Sequence, residues 1–241
     1  MPSIVWGRHP QEAYDNPYEY EAQAQFLRES RKLLRDLNTR LDHYTLQYHR
    51  DDLSLEKATW MLSLDLIDAL AECVDLLAEK RHRPAARLFR DCIETIDLLK
   101  VLHSGIPKAT KVLAQWYQNK TIPHREARAH LQEVEGEVSA KQRKVFFDQL
   151  SKFTHRTYRA LNHSFSLGGG DLLVHDSHSM GTLVLPQTIA SHLAIVADLI
   201  LQAVQCLNET RIISTDHLTY ALATTLETHC VPRRFSTLNT K

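Results

Sequence analysis

Arginine and histidine recur closely in the segment Ser151-Lys152-Phe153-Thr154-His155-Arg156-Thr157-Tyr158-Arg159-Ala160-Leu161-Asn162-His163. His155, Arg159 and His163 are four residues apart, which places them on one face of a helix. An imidazole titrates near neutral pH, so it can take a proton from a ribose 2′-hydroxyl and later return one. A guanidinium can hold a phosphodiester through two parallel hydrogen bonds and stabilise charge that grows on it. Arg156 and His163 are therefore candidates for a metal-free ribonuclease, Arg156 holding the phosphate and His163 acting as general acid and base. RNA brings its own nucleophile to such a reaction, so no cofactor is expected.

A second constellation lies upstream. Arg87, Arg90, Glu94 and Asp97 are spaced three, four and three residues apart and form one polar stripe. Around it stand Leu88, Phe89, Cys92, Ile93, Ile96, Leu98 and Leu99. So apolar a helix belongs at the centre of a bundle, where ionic groups need partners. Arg90 and Glu94 could support the Arg156/His163 pair, or they could pair with His155 or Arg159 and serve only to fix helix register. Asp65, Asp68, Glu72, Asp75 and Glu79 form an acidic stripe on the preceding helix. That stripe reads first as a solvated face, with Arg87 and Arg90 as neighbours able to compensate it.

Metal chemistry is poorly served. Di-iron bundles draw Glu-x-x-His from two helices, and the chain does not carry that pattern on two. His175-Asp176-Ser177-His178 could hold a metal, but further ligands cannot be placed around it, and a polar turn is the expected reading. Gly168-Gly169-Gly170 is not followed by the G-K-[ST] of a phosphate-binding loop and reads as a turn.

The 241 residues carry 29 basic and 29 acidic side chains, so no overall charge draws the chain to nucleic acid or membrane. Four cysteines, Cys73, Cys92, Cys206 and Cys230, form no C-x-x-C pair and read as reduced thiols. The first residues lack the apolar core of a signal peptide, so a cytoplasmic location is expected.

Periodicity predicts an all-α fold of about seven to nine helices. An irregular arm precedes a helix over 18–49, on which Tyr44 and Tyr48 continue the apolar face. Ser54 caps a helix running to about Arg81, and Pro84 sits in the first turn of the next. Further helices are expected over 107–117, 123–135, 138–150, 152–163 and 187–208, with a last one from Ser214 or Thr215 to about Glu227. His192, Asp198, Gln202 and Gln205 interrupt the 187–208 helix, so it is a buried bundle helix and not a membrane span. Residues 166–186 form an irregular insertion in which 171–174 and 182–185 could pair as a hairpin. The expected divisions are an arm and helix over 1–53, a core over 54–208, and a helix and tail over 209–241.

Arg90-Asp91-Cys92-Ile93-Glu94 and Ser151-Lys152-Phe153-Thr154-His155 resemble two short motifs of the HEPN-like helical superfamily of prokaryotes. The branch most resembled is an uncharacterised bacterial one with Arg-x-x-x-Glu and Ser-x-x-x-His segments. The resemblance spans about residues 54–208. It implies a helical core, a homodimer, and RNA as a substrate or ligand. Many such proteins are metal-independent ribonucleases of toxin–antitoxin, CRISPR or phage-defence systems, so an antitoxin or other protein partner is also implied. Their active motif is Arg-x4–6-His. Here that spacing occurs at Arg125/His130, Arg156/His163 and Arg211/His217, and the resemblance points to Arg156/His163, with Arg87, Arg90, Glu94, His155 and Arg159 in support. Thr157 follows the arginine, where the family commonly carries Asn or Asp. The alternative from the residues alone is a non-catalytic helical interaction module whose polar network is structural.

Overall fold

The structure, a computed structural model, describes residues 17–155, 157, 158, 161, 165–167, 172–175 and 186–213. Among them are six helices: α1 (Pro17–Asp42), α2 (Leu55–Ala78), α3 (His82–Leu102), α4 (Pro107–Tyr117), α5 (His124–Thr154) and α6 (Pro186–Glu209). The fold is therefore mostly helical, with fewer helices in this part than the seven to nine expected. The expected helix after residue 213 lies outside the described residues. No described helix is long and apolar enough to cross a membrane.

Local chemistry accounts for several helix starts. The Ser54 hydroxyl accepts from the Lys57 amide at 3.2 Å, satisfying a donor that the first turn of α2 leaves open. Pro107 opens α4, where its missing N–H costs nothing. Pro186 likewise opens α6.

α3 is the central helix, packing on α2, α4, α5 and α6. Its fully buried Ala85, Ala86, Phe89, Cys92, Ile93, Ile96 and Leu99 meet Leu66, Leu70 and Val74 of α2 and Leu193, Val196 and Ile200 of α6 in one apolar cluster. α1 joins the same cluster through Phe26, Leu33, Leu34, Leu37 and Leu41, all at most 2% exposed. Cys73, Cys92 and Cys206 are buried free thiols. Contact with Cys92, then burial, pushes the Cys73 thiol far above the ordinary range. Burial pushes that of Cys206 up to about 12.

Three expectations need correction. α1 ends at Asp42 rather than 49, and Leu46 adopts a left-handed φ of 68° in the turns that follow. Tyr44 and Tyr48 therefore leave the helical face. The Tyr44 hydroxyl donates to the Ile212 carbonyl at 2.8 Å, and Tyr48 packs on Trp60. Second, the expected helices over 123–135 and 138–150 are both present as the two arms of α5, which meet at the non-helical Gly136, but the second arm runs on to Thr154. Third, no helix runs unbroken from 152 to 163. α5 closes at Thr154, and His155 is extended at φ −85°, ψ 157°. A new turn begins beyond it, where the Leu161 amide donates to the Thr157 carbonyl at 3.0 Å.

One stretch of the expected hairpin, 171–174, overlaps a strand, and that strand pairs with residues upstream of it. β1 (Phe165–Leu167) pairs antiparallel with β2 (Leu173–His175), bringing Ser166 opposite Val174. Residues 182–185 lie outside the described residues.

Gly136 sits at φ 85°, ψ 170°, a region open essentially to glycine alone. Nothing lies within 4 Å of a Cβ placed there, so the constraint is the backbone and not space. Gly136→Ala should cost about 1–3 kcal/mol, read from the urea midpoint.

Candidate buried polar site between α3 and α5

The Arg87–Asp97 stripe begins at the surface and ends in the core. Arg87 is exposed, Arg90 and Glu94 are half-buried, and Asp97 is wholly buried. Arg90 Nε donates to Glu94 Oε1 at 2.7 Å, so these two pair along their own helix. The Arg90 guanidinium also lies 5.2 Å from the centre of the Phe147 ring of α5. Arg128 lies 5.0 Å from the same ring. His124 stacks on Phe147 at 3.9 Å with 26° between planes. Cation–π contacts of this kind contribute about 0.5–1 kcal/mol each where solvent reaches them.

Asp97 holds the centre of the site. One carboxylate oxygen accepts a short hydrogen bond from Arg143 of α5. The other accepts from His124 Nε2 at 2.6 Å. A carboxylate beside arginine only accepts, so His124 carries a proton on Nε2 toward it, and Nδ1 faces away from the carboxylate. That Nδ1 is buried and has no hydrogen-bond partner. Arg143 Nη2 lies 3.6 Å from Glu135 Oε1, which also accepts from Lys100 Nζ at 2.9 Å. Glu135 Oε2 accepts from Ser139 at 2.8 Å. Two carboxylates thus face two permanent cations, and the cluster balances near neutrality. Burial pushes the Glu135 carboxyl up, but the Lys100 hydrogen bond, Arg143 and Ser139 outweigh it and hold it below the ordinary glutamate value.

Of the expected site residues, Arg156, Arg159 and His163 lie outside the described residues. His155 is described and exposed, and its amide donates to the Ser151 carbonyl at 3.3 Å. Because His155 is extended, α5 does not carry its helical face past Thr154. The Ser151 hydroxyl is buried without a partner, one turn beyond Phe147.

The acidic stripe is a solvated face, with Asp65, Asp68, Glu72, Asp75 and Glu79 all exposed. Its cations are not Arg87 and Arg90. Arg31 of α1 donates to Asp75 at 2.7 Å, and Arg81 lies 3.5 Å from Glu79. Exposed pairs like these are worth about 0–1 kcal/mol. His175 is exposed and packs on Phe165 at 5.2 Å, while 176–178 lie outside the described residues. Among the described residues no group of three or more His, Cys, Asp and Glu is placed to hold a metal.

Sequence reasoning identified Asp97 as needing a partner but missed His124, Lys100, Glu135 and Arg143. A signal was present for Lys100, three residues beyond Asp97. His124 and Arg143 are 27 and 46 residues from it, beyond any local pattern.

Asp97→Ala should lower stability by about 3–5 kcal/mol, because it strands the Arg143 charge in the core. Asp97→Leu combined with Arg143→Met and His124→Phe should recover much of that loss in urea unfolding. Glu135 adds stability in full above the ordinary glutamate range, and this is lost as pH falls through its lower folded value. Glu135→Gln should therefore flatten the acid limb of a melting-temperature series.

Comparison with protein-family models, curated proteins and solved structures gives no match.

Proposed function

We propose that this chain is a HEPN-like helical protein that acts on RNA as a homodimer, in a prokaryotic defence or toxin–antitoxin setting. In this reading it cleaves without metal. His163 takes the proton of a ribose 2′-hydroxyl, whose oxygen attacks the adjacent phosphorus, and returns a proton to the departing 5′-oxygen. Arg156 holds the phosphate and offsets its growing charge. Arg87, Arg90, Glu94, His155 and Arg159 support the pair. The observation that favours this reading is the meeting of the two motif-bearing segments. Arg90, which opens Arg-x-x-x-Glu on α3, lies over Phe147, one turn before the Ser151-x-x-x-His155 segment on α5.

A second reading, a non-catalytic interaction module, is favoured by Asp97. Its carboxylate is fully enclosed, with both oxygens engaged by Arg143 and His124. Such a cluster fixes the register of two helices.

Purified protein incubated with a mixed single-stranded RNA pool in excess EDTA separates the two. His163→Ala, shown by circular dichroism to be folded, runs beside it. Cleavage by wild type alone is expected. No cleavage by either protein would overturn the nuclease reading in favour of the interaction module. Equal cleavage by both would remove Arg156 and His163 as the site.

A further inference from the structure

A cleft of about 470 Å³ opens beside the buried cluster, between α3, the end of α4 and the start of α5. That is ample for a small organic ligand. One face of α3 supplies Asp91, Glu94, Thr95 and Leu98, spaced so that all four point the same way. Trp116 and Lys120 come from α4 and the turn after it, and His124 from the first turn of α5.

The charges in this cleft are unevenly matched. Glu94 is satisfied by Arg90 at 2.7 Å. Asp91 has no hydrogen-bond or ion-pair partner among the described residues. Burial, then the neighbouring Glu94, pushes its carboxyl above the ordinary range, and Arg90 only partly opposes this. A cation beside Asp91 would relieve both effects. Trp116 adds an indole, the ring that attracts cations best. His124 is 8% exposed, and its buried Nδ1 has no hydrogen-bond partner. Two carboxylates and an indole thus line the cleft, against the exposed Lys120 as the one permanent cation among the lining residues.

We infer that the cleft binds a small organic cation bearing an ammonium or guanidinium group, with Asp91 accepting its hydrogen bonds and Trp116 packing against it. The inference stands apart from the ribonuclease reading, since it uses neither Arg156 nor His163.

Calorimetric titration of the full chain with agmatine, which carries both head groups, tests it. Adenosine monophosphate serves as the anionic, base-bearing probe. Saturable one-to-one binding of agmatine is expected, weakened at least tenfold by Asp91→Asn and by Trp116→Leu. Trp116→Phe, which keeps an aromatic face, should bind with intermediate affinity. Asp68→Asn, on the solvated stripe of α2, should leave binding unchanged. Circular dichroism checks that each variant is folded. Absence of saturable agmatine binding would overturn the inference. So would equal weakening by Asp68→Asn, which would mean general charge attraction, or binding of adenosine monophosphate in place of agmatine.

Discussion

Asp97 cannot reach water, and an isolated carboxylate in an apolar interior is among the most costly groups a fold can carry. The helices around α3 are arranged so that it is never isolated. Arg143 and His124 come from opposite parts of α5, so one side chain on α3 sets where two segments of its neighbour must lie. The same carboxylate orients the ring of His124, and His124 in turn stacks on Phe147, the ring that Arg90 and Arg128 flank. The polar cluster and the aromatic one are thus a single interface.

Bending α5 makes that arrangement reachable. Glu135 immediately precedes the break at Gly136, and Ser139 and Arg143 follow it. Glu135 takes Ser139 and Lys100 with its two oxygens and lies beside Arg143, which ties the two halves of α5 to each other and to α3. A straight helix would carry Glu135 and Arg143 forward at a fixed rise per residue. The glycine break frees the first half to swing back, so that His124 reaches Asp97. Backbone strain that no other residue tolerates is offset by charge pairing in the core.

Charge has two different roles along the chain. On α2 the five acids face solvent, where a pair with Arg31 or Arg81 changes stability little. On α3 the polar stripe passes from solvent at Arg87 into the core at Asp97 within three turns, and the same residue types become structural constraints. The cleft lies between those extremes, where Asp91 is close enough to the protein to feel burial and Glu94 yet has no cation of its own.

Signals confined to one turn were legible in the sequence. Ser54, Pro107 and Pro186 mark helix starts, the apolar run of α3 places it at the centre, and the polar interruptions of α6 keep it a bundle helix. These rest on capping, fixed φ angles and periodicity, which act between residues a few positions apart. The ends of α1 and α5 were less legible, because helical spacing continues through Tyr44–Tyr48 and past Thr154 although the backbone leaves α1 after Asp42 and α5 at His155. The Ile212 carbonyl and the Trp60 ring draw the tyrosines away, and both belong to other elements. The sequence could show that Asp97 needed a partner, and that a stripe of alternating charge and apolar residues ran along α3. Only the tertiary structure could choose Arg143 and His124, because the choice depends on how α5 bends at Gly136 and on which of many distant cations that bend brings within hydrogen-bond reach.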